Sequence, residues 1–292
     1  MPNLAVIGYP VGHSRSPAMQ TAALTELGLA GEWTYGALDV TPEDFEAEVA
    51  ELAAAGEYAG VNITVPHKEA ALAMADEASE SARAIGAANT LTFAERRIVA
   101  ANTDAGGLLR ALPAGLAEAS GDGAAGAGGA RRALVLGAGG AARAAIWALA
   151  NGGEGSPMVD GSAPVHIAPF DVDVWNRTAE RGEGVAAELV AQAVTDPDPA
   201  DYALIVNTTA VGLRGEDPFE HLPLAADSFA PGQVVVDMVY GDEPSPLLAA
   251  AAAAGATVVD GLEMLVQQGA LSLRIWTGEE PSLKAMRAAI RH

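Results

Sequence analysis

Only two of the sixteen basic residues are lysines, and one of them, Lys68, closes the stretch NITVPHK at residues 62–68. An arginine keeps its charge at any working pH, whereas a lysine ammonium is compact and can hand a proton to a substrate and take it back. A chain that elsewhere relies on fourteen arginines therefore has a chemical reason for lysine here: proton transfer. A second constellation is VLGAGGAARA, which sets Gly137, Gly139 and Ala142 in G-x-G-x-x-A spacing, with Ala138, Gly140 and Ala141 between them. Placed between an apolar strand and an alanine-rich helix, such a turn lets backbone amides approach a pyrophosphate at the helix start. A third is VWNRTAER. Where an NAD-binding unit ends its second strand in an acid for the ribose 2′-hydroxyl, this chain offers Asn176, Arg177, Thr178 and Arg181, two guanidinium forks and two short polar groups suited to a 2′-phosphate. The 39 residues from Gly137 to Asn176 exceed the usual spacing of about 20, which an insertion over 151–170 explains.

The elements that must carry these groups follow from short apolar runs and helix signals. LAVIGYP reads as a strand, followed by a helix that opens with Ser16 as cap and Pro17 at its first position. WTYGALDV reads as a second strand and TPEDFEAEVAELAAAG as a helix capped by Thr41. GVNITV is a third strand, with HKEAALAMADEASESARAIG as helical material after it. Beyond a Gly/Ala-rich surface excursion between Leu112 and Arg131 comes the glycine-turn unit, then three further strands expected to be buried, YALIVNTTAVG, QVVVDMVYG and ATVVDG. LEMLVQQGALSLRIW reads as an amphipathic helix. Alternating strands and helices predict an α/β protein, and 292 residues suffice for two domains with a cleft.

Composition narrows the partners. A net charge of −22 opposes nucleic acid and anionic membrane surfaces, so neither is expected as a partner, and any anionic ligand must find local cations or backbone amides. Without cysteine there is no disulfide and no thiolate chemistry. The five histidines lack metal-ligand spacing, so no metal is expected, and His13 and His67 are read as structural. MPNLAVIGYP has no leader-like pattern and no apolar run reaches membrane-spanning length, which predicts a cytoplasmic protein.

In chain order, GYPVGHSRSPAM, GVNITVPHK, IGAANTL and NTDAGG precede the glycine turn, and DMVY and GLEMLVQQGA follow it. This series resembles the shikimate dehydrogenase family over nearly the whole chain. The resemblance implies reversible NADPH-dependent reduction of 3-dehydroshikimate to shikimate. It also implies an N-terminal α/β substrate domain (1–103 and 262–292) and a Rossmann-type doubly wound NADP-binding domain (104–261), the C-terminal helix returning to the first. Position by position it implies Lys68 and Asp104 as the catalytic pair; on residue type alone, Asp104 reads as a helix cap before AGGLLRAL. Ser14, Ser16, Thr64, Asn89, Tyr240 and Gln268 match substrate-binding positions, and Glu80, Met238 and Gly261 fall where the family approaches the nicotinamide half. Asn62 is expected only to support its loop, and Arg15 to face solvent. Where the family continues SPxxHN this chain has SPAMQT, with Gln20 and Thr21 in place of His-Asn. A quinate or dual quinate/shikimate dehydrogenase using NAD, and a non-catalytic metabolite sensor, stay open as alternatives. So does a homodimer.

Overall fold

The protein is described as a computed structural model covering residues 2–114, 116, 131–152, 165 and 167–291. Residues 115 and 117–130 of the Gly/Ala-rich stretch, residues 153–164 and His166 of the 151–170 insertion, and His292 lie outside the described residues. Two compact units divide the chain: Met1–Gly107 with Leu265–His292, and Leu108–Gly155 with Pro164–Met264.

The first unit is built on a mixed six-stranded sheet of β1 (Asn3–Gly8), β2 (Thr34–Asp39), β3 (Tyr58–Ile63), β4 (Glu77–Ala78), β5 (Thr90–Ala94) and β6 (Arg97–Ala101), in the order β2-β1-β3-β5-β6-β4. β1 runs parallel to β2 and β3, whereas β5 is antiparallel to both β3 and β6. Its helices are α1 (Ser16–Glu26), α2 (Phe45–Ala55), α3 (Lys68–Ala73), α4 (Glu80–Ile85) and the start of α5 (Asp104–Ala111). Phe45, Val49, Ile7, Val61, Ile63 and Leu91 form one face of its core.

Four local expectations are corrected. Ser16 does not cap α1: it is a buried first residue, and its backbone NH donates to Ser14 Oγ at 3.2 Å. Thr41 does not cap α2, because residues 41–44 form a turn closed by Thr41 Oγ1 donating to Asp44 Oδ2 at 2.8 Å, and the helix starts at Phe45. The expected helical run over 67–86 is two short helices separated by β4, since Asp76 exchanges hydrogen bonds with the Ile98 backbone and the chain there pairs with β6. Arg15, expected in solvent, donates to the carbonyl of Ile290.

In the second unit every strand pairing among the described residues is parallel. β7 (Arg132–Leu136), β8 (Asp171–Trp175), β9 (Gln192–Ala193), β10 (Leu204–Asn207), β11 (Val234–Asp237) and β12 (Thr257–Asp260) lie in the order β12-β11-β10-β7-β8-β9. Counted within the unit this is 6-5-4-1-2-3, the dinucleotide-binding order whose direction reverses between its first and fourth strands. Helices α6 (Gly140–Asn151), α7 (Ala179–Leu189), α8 (Pro218–His221) and α9 (Pro246–Ala253) connect the strands. β12 corrects one expectation: as an edge strand it leaves Thr257 and Val258 exposed. α10 (Gly261–Thr277) starts in this unit and continues into the first, where α11 (Leu283–Ile290) packs on α1.

Candidate active site

In the first unit Lys68 opens α3 directly after the turn that leaves β3, where the His67 NH donates to the carbonyl of Thr64. His67 is buried, stacks on Phe45 with ring centroids 4.4 Å apart, and its Nε2 donates to Val40 O at 2.8 Å. Burial holds this imidazole below its ordinary pKa despite that hydrogen bond. His13, by contrast, is exposed rather than structural.

Lys68 Nζ donates to Asp104 Oδ2 at 2.6 Å, with side-chain exposures of only 14% and 6%. Two residues 36 apart in sequence thus meet in a nearly closed setting, where a charge pair is far less screened than on a surface. The other oxygen, Asp104 Oδ1, accepts from Asn89 Nδ2 at 2.9 Å, and the same amide nitrogen lies 3.2 Å from Gln268 Oε1 on α10. α5 approaches α10 closely enough for this because residue 107 is glycine: a Cβ there would fall 2.6 Å from that of Gln268. The Thr103 NH donates to Asn89 Oδ1 at 2.7 Å, which fixes the amide so that its NH₂ faces the aspartate. Lys68, Asp104, Asn89 and Gln268 therefore form one cluster.

Beneath it lies a layer of buried polar side chains that sequence reasoning missed. Ser272 Oγ is within 3.0 Å of Thr90 Oγ1, Thr103 Oγ1 and Asn62 Nδ2. Asn62, expected only to support its loop, also accepts from Tyr35 Oη at 2.7 Å and donates to Asn89 O. Nor is Asp104 itself the cap of α5; Asn102 Oδ1 accepts the amides of Asp104 and Ala105. The asparagine two places before the aspartate was the available sequence signal for that cap.

Ser14 and Thr64 sit on the loops leaving neighbouring strands β1 and β3, and Ser16 opens α1 at the end of the first of these loops; the loops are tied together by Tyr9 NH donating to Val65 O and Thr64 NH to Ile7 O. Glu80 is exposed in the first turn of α4.

In the second unit Gly137 has φ +118° and donates to Trp175 O at 2.8 Å, while a Cβ on it would fall 2.5 Å from Thr208 Oγ1, so the turn requires glycine. Ala138 is buried, whereas Gly139 is exposed and a Cβ there would meet nothing within 4 Å. Gly140 and Ala141 begin α6, whose N-terminus has no side-chain cap, leaving its amides for an anion. β8 neighbours β7, so Asn176, Arg177 and Thr178 emerge beside that turn, with Asn176 Nδ2 bonded to Thr178 O at 2.8 Å. Arg177 and Arg181 are exposed and have no acidic partner among the described residues, unlike Arg132, which pairs with Asp173 and Asp201, and Arg143, which pairs with Glu188. Open space, uncapped amides and unpaired guanidinium groups fit a phosphorylated dinucleotide. Met238 and Tyr240 follow β11, and Gly261 starts α10 directly against the Met238 backbone.

Two family models match the chain, one for the shikimate dehydrogenase substrate binding domain over residues 6–91 and one for the shikimate 5′-dehydrogenase C-terminal domain over 261–291. The shikimate dehydrogenase (NADP(+)) of Acidiphilium cryptum is 42% identical, with 94% of this chain and 90% of that protein aligned. The chain belongs to the shikimate dehydrogenase family. A Thermus thermophilus member is 41% identical over 100% of this chain and 98% of its own length. The crystal structure of the enzyme from that species in complex with NADP(H) and shikimate matches with a TM-score of 0.80, covering 99% of this chain and 98% of that one. Within the shikimate dehydrogenase family, the two-sheet α/β architecture described above is thus shared along the full chain.

Proposed function

We propose that this protein catalyses the reversible NADPH-dependent reduction of 3-dehydroshikimate to shikimate, a step toward chorismate and the aromatic amino acids. The observation that carries the reading is the 2.6 Å pair of Lys68 and Asp104, enclosed with Asn89 and Gln268. NADPH, when bound, supplies the hydride to the carbonyl carbon. The oxygen that becomes an alkoxide needs a neighbouring cation and a proton, and Lys68 provides both. Asp104 holds the ammonium in place by charge and hydrogen bonding, and solvent restores the proton after turnover.

Ser14 and Ser16 are assigned to the substrate carboxylate, and Thr64, Asn89, Tyr240 and Gln268 to its hydroxyls, since hydroxyl and amide groups suffice for both. Backbone amides from Gly137 to Ala141 would hold the cofactor pyrophosphate, and Asn176, Thr178, Arg177 and Arg181 the 2′-phosphate. Glu80, Met238 and Gly261 are assigned to the nicotinamide end. Residues 1–103 with 262–292 then act as the substrate domain and 104–261 as the cofactor domain. Among the described residues no helix is long and apolar enough to cross a membrane. The reading places the enzyme in the cytoplasm, and a homodimer is the assembly to look for by sedimentation.

The test is turnover by the purified chain with shikimate or quinate and with NADP or NAD. The highest kcat/KM is expected for shikimate with NADP. Quinate with NAD as the better pair would replace this reading by the rival one, and ligand binding without any turnover would make the protein a sensor.

A further inference from the structure

We infer that Asn102 is a positioning residue for this reaction: by capping α5 it leaves both oxygens of Asp104 free to hold Lys68 and Asn89. The inference rests on the reading of Lys68 and Asp104 as the proton-transfer pair. The first amides of a helix have no intrahelical acceptor, and a short carboxylate at the helix start is readily drawn onto them. Asp104 occupies that place, as the first residue of α5. Its carboxylate is nonetheless directed away from the helix, because Asn102 Oδ1 already takes the Asp104 amide at 3.0 Å and the Ala105 amide at 3.3 Å.

A second arm of Asn102 fixes the arrangement. Its Nδ2 donates to Ala87 O at 2.9 Å, and the residue is only 5% exposed. The two residues after Ala87 hold the other parts of the cluster. Ala88 NH donates to the carbonyl of Lys68 at 2.8 Å, and Asn89 Nδ2 donates to Asp104 Oδ1. Three consecutive residues, 87 to 89, therefore bind the cap, the backbone of the lysine and the aspartate. Serine at 102 would keep an acceptor for the helix amides but has no second polar atom, separate from that acceptor, to hold Ala87 O. Aspartate would keep the acceptor, lose the donor and bury a second negative charge near Asp104. Asparagine alone of the three does both tasks without a charge.

The experiment measures kcat and KM of the purified full chain for shikimate oxidation, and NADPH binding by fluorescence, in Asn102→Ala and Asn102→Ser, each alone and combined with Asp104→Asn. Asn102→Ala is expected to lower kcat about 10- to 30-fold, an effect of misplacing a reacting group, while NADPH binding stays within about twofold. Asn102→Ser should recover to within about threefold of the unaltered chain. In the Asp104→Asn background Asn102→Ala should change kcat by less than about twofold, because the group it positions is already lost. Losses that multiply, or full kcat in Asn102→Ala, would overturn the inference. Should Asn102→Ala fail to fold, Asn102→Gly, which also removes the acceptor but costs a helix start less stability, takes its place in the same cycle: a non-additive loss supports the inference and a multiplying one refutes it. Absence of turnover by the unaltered chain would instead overturn the functional reading, and this inference with it.

Discussion

Around Lys68 the charged groups are enclosed and matched, each with a partner within hydrogen-bonding distance, whereas in the second unit Arg177 and Arg181 stand exposed, without an acidic partner among the described residues, and the helix after Gly137 starts with uncapped backbone amides. A proton-transfer site needs its geometry set before substrate arrives, and a buried charge pair needs every remaining hydrogen-bonding position filled. A site for a polyanion needs the reverse, cations that have not already been neutralised. The difference teaches that the first site is specified by side chains on several elements, and the second by one turn and one strand end.

The contrast can be broken at either side. Lys68→Ala should produce the largest effect, a fall in kcat of about 10² or more with KM for shikimate little changed, measured in steady state. Near-normal kcat would remove the proton-transfer role. Arg177→Ala or Arg181→Ala should act on the cofactor instead, raising KM for NADP about tenfold, the order of one charge-assisted contact, while NAD is spared. An equal loss with both cofactors would end the 2′-phosphate assignment.

The smallest effects concern pH, and the two units should drift in opposite directions. His67 has a lowered pKa through burial, so as pH falls below 6.5 the unfolded chain takes up the proton first and the stability that this residue contributes is lost. Asp237, buried at the end of β11, has a raised pKa, chiefly from desolvation, although Ser245, the Val239 amide and Asn207 all donate to it. There the folded chain protonates first, so stability rises as pH falls toward 3.8. Urea midpoints between about pH 7.5 and 5 should show the deficit of His67→Gln shrinking and that of Asp237→Asn growing. Parallel drifts would show that these two groups do not dominate the acid response.

What could be read from the sequence followed from how local each signal is. NITVPHK, the glycine turn and the NRT strand end are contiguous, and their letters carried both the elements and the chemistry. The β5–β6 hairpin was not visible because it turns on Glu95 and Arg96, both with positive φ, where Asn-Gly would have announced it. β4 was hidden within a helical pattern because its partner, β6, lies some twenty residues on. The layer of Asn62, Thr90, Thr103 and Ser272 draws on four separate elements or their ends, and no spacing rule links residues 62 and 272. Asn102 was within reach, but Asp104 looked like the better cap.

Gln20 stands where the family usually has histidine. It is fully buried on α1, and its Nε2 holds Gly269 O on α10 at 2.9 Å, while its Oε1 has no partner among the described residues. An amide cannot gain or lose a proton in the physiological range, whereas an imidazole can. The seam that this side chain closes is consequently blind to acidification, and the helix that starts at Ser16 keeps that anchor whether its surroundings are neutral or mildly sour.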